Sequence, residues 1–159
     1  MFADPLVRVM VDFLTEIGIN TVAASALTAT VFPGLDIQHG AVLIDETRLV
    51  HVGDIFHEAG HLAVTHPRLR LAPRLNPTGG EELAALAWSY AAASHLGLEP
   101  AVVFYPESYH DFGNELVANF AAQVYVGLPL LQTFGMTLEP KKAIAENAEP
   151  FPHMLRWLR

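Results

Sequence analysis

The chain has 159 residues, no cysteine, 52% hydrophobic and only 16% charged residues, a length that suits one domain over residues 1–159. That balance excludes disorder, and the missing thiols exclude disulfides, thiolate metal sites and a cysteine nucleophile. A net charge of −8, from 17 acidic and 9 basic residues, is repelled by phosphate backbones and argues against a nucleic-acid partner.

Leu6, Val9, Met10, Phe13, Leu14 and Ile17 recur at helical spacing and predict an amphipathic helix over 5–17, ended by Gly18. Asp4, Arg8, Asp12 and Glu16 interrupt that run, so it does not read as a signal-peptide core. The nearest approach to a membrane span, Leu83 to Val103, is broken by His95, Glu99 and Pro100. The expectation is a cytoplasmic protein with no membrane partner. Residues 21–31 leave helix and strand open. Pro33-Gly34 marks a turn, and Leu35 to Ile44 reads as one or two strands around His39-Gly40.

A helix is expected from Gly53-Asp54 to about His66, where Pro67 stops it. Residues 67–80 are rich in proline and glycine and form a loop long enough to cover a site. Its Arg68, Arg70 and Arg74 read as solvated charges. Glu81 to Leu96 predicts a helix apolar on nearly every face, hence buried. Val102 to Tyr105 suggests a short strand, Asp111 to Val126 a helix ended by Gly127, and the tail short helices around Leu130 and Met154. The class is α+β, mostly α, with a small sheet preceding the histidine-bearing helix.

His57-Glu58-Ala59-Gly60-His61 is an H-E-x-x-H motif. Histidines four apart share a helix face, so both imidazoles can reach one ion, and the intervening glutamate can reach a water on it. Zinc suits two nitrogen ligands, and it lowers the pKa of water so that Glu58 can act as general base. Gly60 costs about 1 kcal/mol of helix propensity relative to alanine, which the close approach of another backbone would explain. The bland alternative is a pair of hydrogen-bonded helix histidines beside a solvated glutamate.

His66 lies five residues beyond His61, roughly 140° around a continuing helix, and so faces elsewhere. A glutamate from a following helix is the better third ligand. Glu82, with Ala85 and Ser89 on its own face, ranks before Glu81, which can serve the helix dipole. Glu115 on the later helix is a third candidate. One zinc ion is expected, held by His57, His61 and Glu82. Tyr105, Tyr109 and His110 are candidate donors to a developing oxyanion. His39, His51, His95 and His153 lack ligand spacing and read as structural.

Gly40-Ala-Val-Leu-Ile44-Asp45 and Asp54-Ile-Phe-His57-Glu58-Ala-Gly60-His61-Leu62, followed by a glutamate helix, resemble the ImmA/IrrE family of zincin-like metallopeptidases over roughly residues 35–126. The resemblance implies a zincin-like fold and peptide-bond hydrolysis. Family members carry alanine, asparagine and an aromatic residue three, four and six places after the liganding glutamate. Glu82 offers Ala85 and Trp88 without the asparagine; Glu115 offers Ala118 and Asn119, with Phe120 one place early. The family cleaves bacterial repressors, but no helix-turn-helix domain is evident here and that role does not carry over. Two functions follow as expectations. The first is a zinc metallopeptidase acting on a peptide or protein, which would pair with the strand around Val42. The second is a degenerate zincin serving as a non-catalytic metal-binding or protein-interaction module.

Overall fold

Asp4 caps the first helix, α1 (Pro5–Glu16), by accepting from the amides of Leu6 and Val7, with Pro5 at the position that needs no amide. The computed structural model describes residues 2–159. Of the apolar face that the spacing predicts, α1 buries Met10, Phe13 and Leu14; it also buries Val7, which lies outside that face, and leaves Val9 exposed.

Three short strands follow, β1 (Asn20–Ala23), β2 (Leu35–Gln38) and β3 (Ala41–Ile44), in the order β1-β3-β2. His39 and Gly40 both have positive φ, 49° and 80°, as a tight two-residue hairpin between β2 and β3 requires. β1 pairs parallel to β3, with Asn20 opposite Ala41. The strand around Val42 is therefore central, flanked on both sides, and cannot receive a peptide as expected. The edges of the sheet are β1 and β2. Of the ambiguous residues 21–31, only 21–23 join the sheet.

α2 (Asp54–Val64) carries the H-E-x-x-H motif, and every residue of it except Glu58 is buried. α3 (Gly79–His95) opens with a capping box. Thr78 accepts from the Glu81 amide, and the Glu81 carboxylate accepts from the Thr78 amide. Its buried face is mostly alanine around Trp88, so α2 and α3 approach closely. A β-carbon on Gly60 would lie 2.9 Å from the Ala85 carbonyl oxygen and 3.2 Å from Ala85 Cα. This is the backbone approach that the glycine inside α2 signals.

The end of α2 corrects one expectation. Arg70 is not a solvated loop cation: its Nε donates to the Leu62 carbonyl at 2.9 Å. The Arg159 amide donates to Ala63 O at 2.9 Å and its guanidinium to Val64 O at 3.3 Å. Carbonyls that a helix end leaves without partners are thus satisfied from two distant segments.

Beyond α3 the sequence is less regular than expected. Val102 to Tyr105 is no strand; Pro100 starts a single 3₁₀ turn, Pro100–Val102. Of the expected helix over 111–126 only α5 (Gly113–Ala121) forms, and before it stands α4 (Ser108–Asp111), a turn with left-handed Tyr109 and His110. α6 (Leu128–Thr133) and α7 (Pro140–Glu146) follow. Met154 lies in no helix but bridges to Thr137. One contiguous core joins α1, α2, α3 and the sheet, with Phe13, Phe56, Trp88 and Trp157 in edge-to-face or tilted contact. Among the described residues no helix is long and apolar enough to cross a membrane.

Candidate metal centre

Successive turns of α2 place His57 and His61 side by side, and the first turn of α3 brings Glu82 against both. The two Nε2 atoms are 3.0 Å apart, and Glu82 Oε2 lies 3.6 Å from that of His57 and 3.5 Å from that of His61. Bonds of about 2.0–2.1 Å around a tetrahedral zinc place neighbouring ligand atoms ~3.3 Å apart, so the donor triangle has the size such an ion needs. It is the one group of three or more such donors among the described residues.

The charge states agree with this fit. Burial, reinforced by the neighbouring His57, pushes the His61 imidazole down to about 4, which leaves it neutral, the form that binds metal. His61 Nδ1 is buried with no hydrogen-bond partner. The Glu82 carboxyl is held below its ordinary range, chiefly by the His57 imidazole beside it, and is the charged member. Glu58, on the same helix, is pushed up to about 7 by burial, against the pull of His57 and with Glu82, Asp54 and Asp36 adding to the rise. A cation beside it would lower that value.

The other acidic candidates lie elsewhere. Glu81 is occupied by the capping box, and its second oxygen lies 3.7 Å from the Arg159 guanidinium. Glu115 is exposed on α5. His66 accepts from the Arg68 amide at 3.3 Å in the turn after α2. The three glutamates should therefore separate on substitution. Glu82→Ala is expected to weaken zinc binding more than ~100-fold, beyond the usual loss for a residue that only supports a ligand. Glu81→Ala should leave affinity within a few-fold and reduce stability by about 0.5–2 kcal/mol through the lost cap. Glu115→Ala should change neither. Zinc titration against a competing chelator, with thermal melts in parallel, checks this; the largest affinity loss at Glu115 would move the third ligand to α5.

The donors open on a cavity of about 820 Å³ lined by β2 (Asp36, Ile37), the 67–78 loop (Arg74, Leu75) and Tyr105 to His110. The three candidate oxyanion donors all line it, in different circumstances. The Tyr105 hydroxyl donates to Asp54 at 2.9 Å, and its ring stacks on His51 at 3.6 Å. The Tyr109 hydroxyl sits 3.0 Å from His57 Nδ1, the nitrogen turned away from the donor triangle. His110 is exposed. Asp54 was not singled out by the sequence reading, although its place three residues before His57 puts it on the same face. Ser89 was noted only for its small size. The remaining histidines behave structurally: His95 packs on Phe13 and Trp157, and His153 lies 3.0 Å from Glu149.

No protein-family model, curated protein or solved structure matches the chain.

Proposed function

We propose that the protein is a zinc-dependent hydrolase whose substrate is a peptide or a protein segment. The observation that carries this is the donor triangle of His57, His61 and Glu82 with Glu58 beside it, all facing one cavity. Zinc held by these three residues would supply Lewis-acid polarisation of a carbonyl and activation of water. Glu58 would accept the proton of the attacking water and return it to the leaving amine. His110 is the donor proposed for the developing oxyanion, since the Tyr105 and Tyr109 hydroxyls are already engaged. A strand hairpin, a histidine helix and then a glutamate helix support a zincin-like fold.

The peptide class rests on the edge of β2. The Asp45 amide donates to Gly34 O across the hairpin, and hydrogen-bonded pairs alternate along an antiparallel ladder. Ile37, opposite Val42, then turns its amide and carbonyl outward, beside the cavity that it lines. Its amide donates to the neighbouring Asp36 carboxylate at 2.9 Å instead of to a strand. An extended peptide could exchange that local bond for main-chain pairing. A non-catalytic module would have no use for Glu58.

Glu58→Gln tests the reading. The amide is nearly isosteric and cannot take the proton, so zinc content and melting temperature should stay parental. Peptide hydrolysis should fall at least ~100-fold, the low end for a lost general base. The assay is a peptide-library digest read by mass spectrometry with the zinc-loaded protein. Parental cleavage by a zinc-loaded Glu58→Gln variant would remove Glu58 from the reaction.

A further inference from the structure

Most charged groups of the cavity are already engaged or stand at its rim. Glu58 and Glu82 belong to the donor cluster. Asp36 accepts from the Ile37 amide at 2.9 Å and from Gln38 Nε2 at 2.7 Å. Arg74 and Glu107 are exposed and of opposite sign. The walls around His57 are aromatic instead. The Phe32 ring meets the His57 ring edge to face, centroids 5.4 Å apart, and the Tyr109 ring meets it at 5.3 Å. Both line the cavity. Tyr109 spends its polar tip on His57 Nδ1, and Phe32 has none. Beside Phe32, Val31 is 92% exposed, more than any other large apolar side chain among the described residues. Apolar surface left in water gains from an apolar cover, and ligand cavities commonly pair such walls with a few polar groups.

The apolar wall is built before any ligand arrives. The Phe32 carbonyl accepts from the Leu35 amide at 3.1 Å and from the Thr30 hydroxyl at 2.7 Å, so the turn leading into β2 fixes its backbone. At the other end of the strand the His39 amide donates to Ala72 O at 3.1 Å. That bond ties the 67–78 loop to the hairpin, and the loop adds Leu75 to the same cavity. A peptide paired with Ile37 therefore has Phe32 near one end of β2 and Leu75 near the other, and Phe32, against His57, stands at the metal centre. We infer, on the hydrolase reading above, that the substrate carries a large apolar side chain next to the bond that is cut, and that Phe32 with Val31 at the rim determines this specificity. A carbonyl brought to the metal carries the side chains flanking its bond to the walls around His57, and covering Phe32 and Val31 rewards an apolar one. A preformed wall also spares the cost of ordering it on binding.

The test uses capped pentapeptides that place leucine, phenylalanine, alanine or lysine at each position in turn. Calorimetry measures their binding to zinc-loaded Glu58→Gln, and mass spectrometry their hydrolysis by the parental protein. At one position leucine and phenylalanine should bind at least ~10-fold tighter than alanine or lysine, as extra methylenes in an apolar pocket give. Phe32→Ala should bring that ratio to within about 3-fold, and Val31→Ser, at a side chain too exposed to support the fold, should lower it less. Because Phe32 also packs on His57, the ratio is the decisive quantity: a purely structural role would weaken all peptides alike and leave it unchanged. A preference for lysine, a flat series, an unchanged ratio in either variant or no binding of any peptide would overturn the inference. Selective binding without hydrolysis by the parental protein would overturn the hydrolase reading and leave the apolar ligand class. Hydrolysis with no apolar preference would do the reverse.

Discussion

Replacing His57 or His61 by alanine is expected to abolish zinc binding and, with it, the rise in thermal stability that zinc gives the parental protein. Two of the three donors in the triangle are these imidazoles, and Glu82 with a single histidine leaves too few ligands to hold the ion. A ligand that binds only the folded state stabilises it by about 4 kcal/mol at a thousand times its Kd, or roughly 10 °C for a domain of this size. Melts with and without zinc, together with elemental analysis of the purified variants, read both effects. The zinc-dependent increment should vanish in either variant. The metal-free variants should differ from each other. His57→Ala leaves the Tyr109 hydroxyl without its partner, whereas His61→Ala also removes a buried nitrogen that has none. Loss of the first should therefore be the more destabilising. Full zinc occupancy in either variant would remove that histidine from the centre.

The features legible in the sequence are those set by local pattern. The spacing of His57 and His61, the glycine between them and the apolar runs of α1 and α3 are each readable within one helix. The choice of Glu82 over Glu81 picked the glutamate that stands beside both histidines, but not for the expected reason: the Glu82 side chain is 48% exposed, while Glu81, held by the cap and near Arg159, is the more covered at 20%. What the pattern could not carry depends on chain segments far apart. Arg70 looks like any loop cation until the end of α2 is seen to lack partners for its carbonyls. Val42 looks like an edge strand until β1, whose residues are ambiguous alone, pairs on its far side. The break between α4 and α5 comes from left-handed residues with no glycine among them; no propensity rule places Tyr109, His110 and Asp111 there. Tyr109 was visible as a polar aromatic near the site. That its hydroxyl meets His57 Nδ1 follows only from that turn.

The packing of α2 on α3 sets the size of the donor triangle, and at Gly60 that packing leaves no room for a β-carbon without a shift. Gly60→Ala would gain about 1 kcal/mol of helix propensity if the helix stood alone. Against this, the new methyl meets the Ala85 carbonyl oxygen at 2.9 Å and Ala85 Cα and Cβ at 3.2 Å. Two of these three atoms are backbone and cannot rotate away, so α3 must move by a few tenths of an ångström. Overpacking of this kind costs about 1–3 kcal/mol, and the net effect should be a loss of stability despite the better helix former. Gly60→Val adds two methyl groups and a β-branched side chain at the same place, and it should be several kcal/mol worse. Function should follow the same order. Glu82 stands one turn before Ala85, and Gly60 lies between the two histidines, so displacing α3 lengthens both His–Glu distances and weakens zinc binding. Ala85→Gly added to Gly60→Ala should restore only part of the loss, because it removes the contact to Cβ and leaves the closer one to the carbonyl oxygen. Denaturant melts and chelator competition on the two single variants and the double variant decide this. A Gly60→Ala protein more stable than the parent, with unchanged zinc affinity, would show that the two helices have room to spare and that the glycine has no part in building the site.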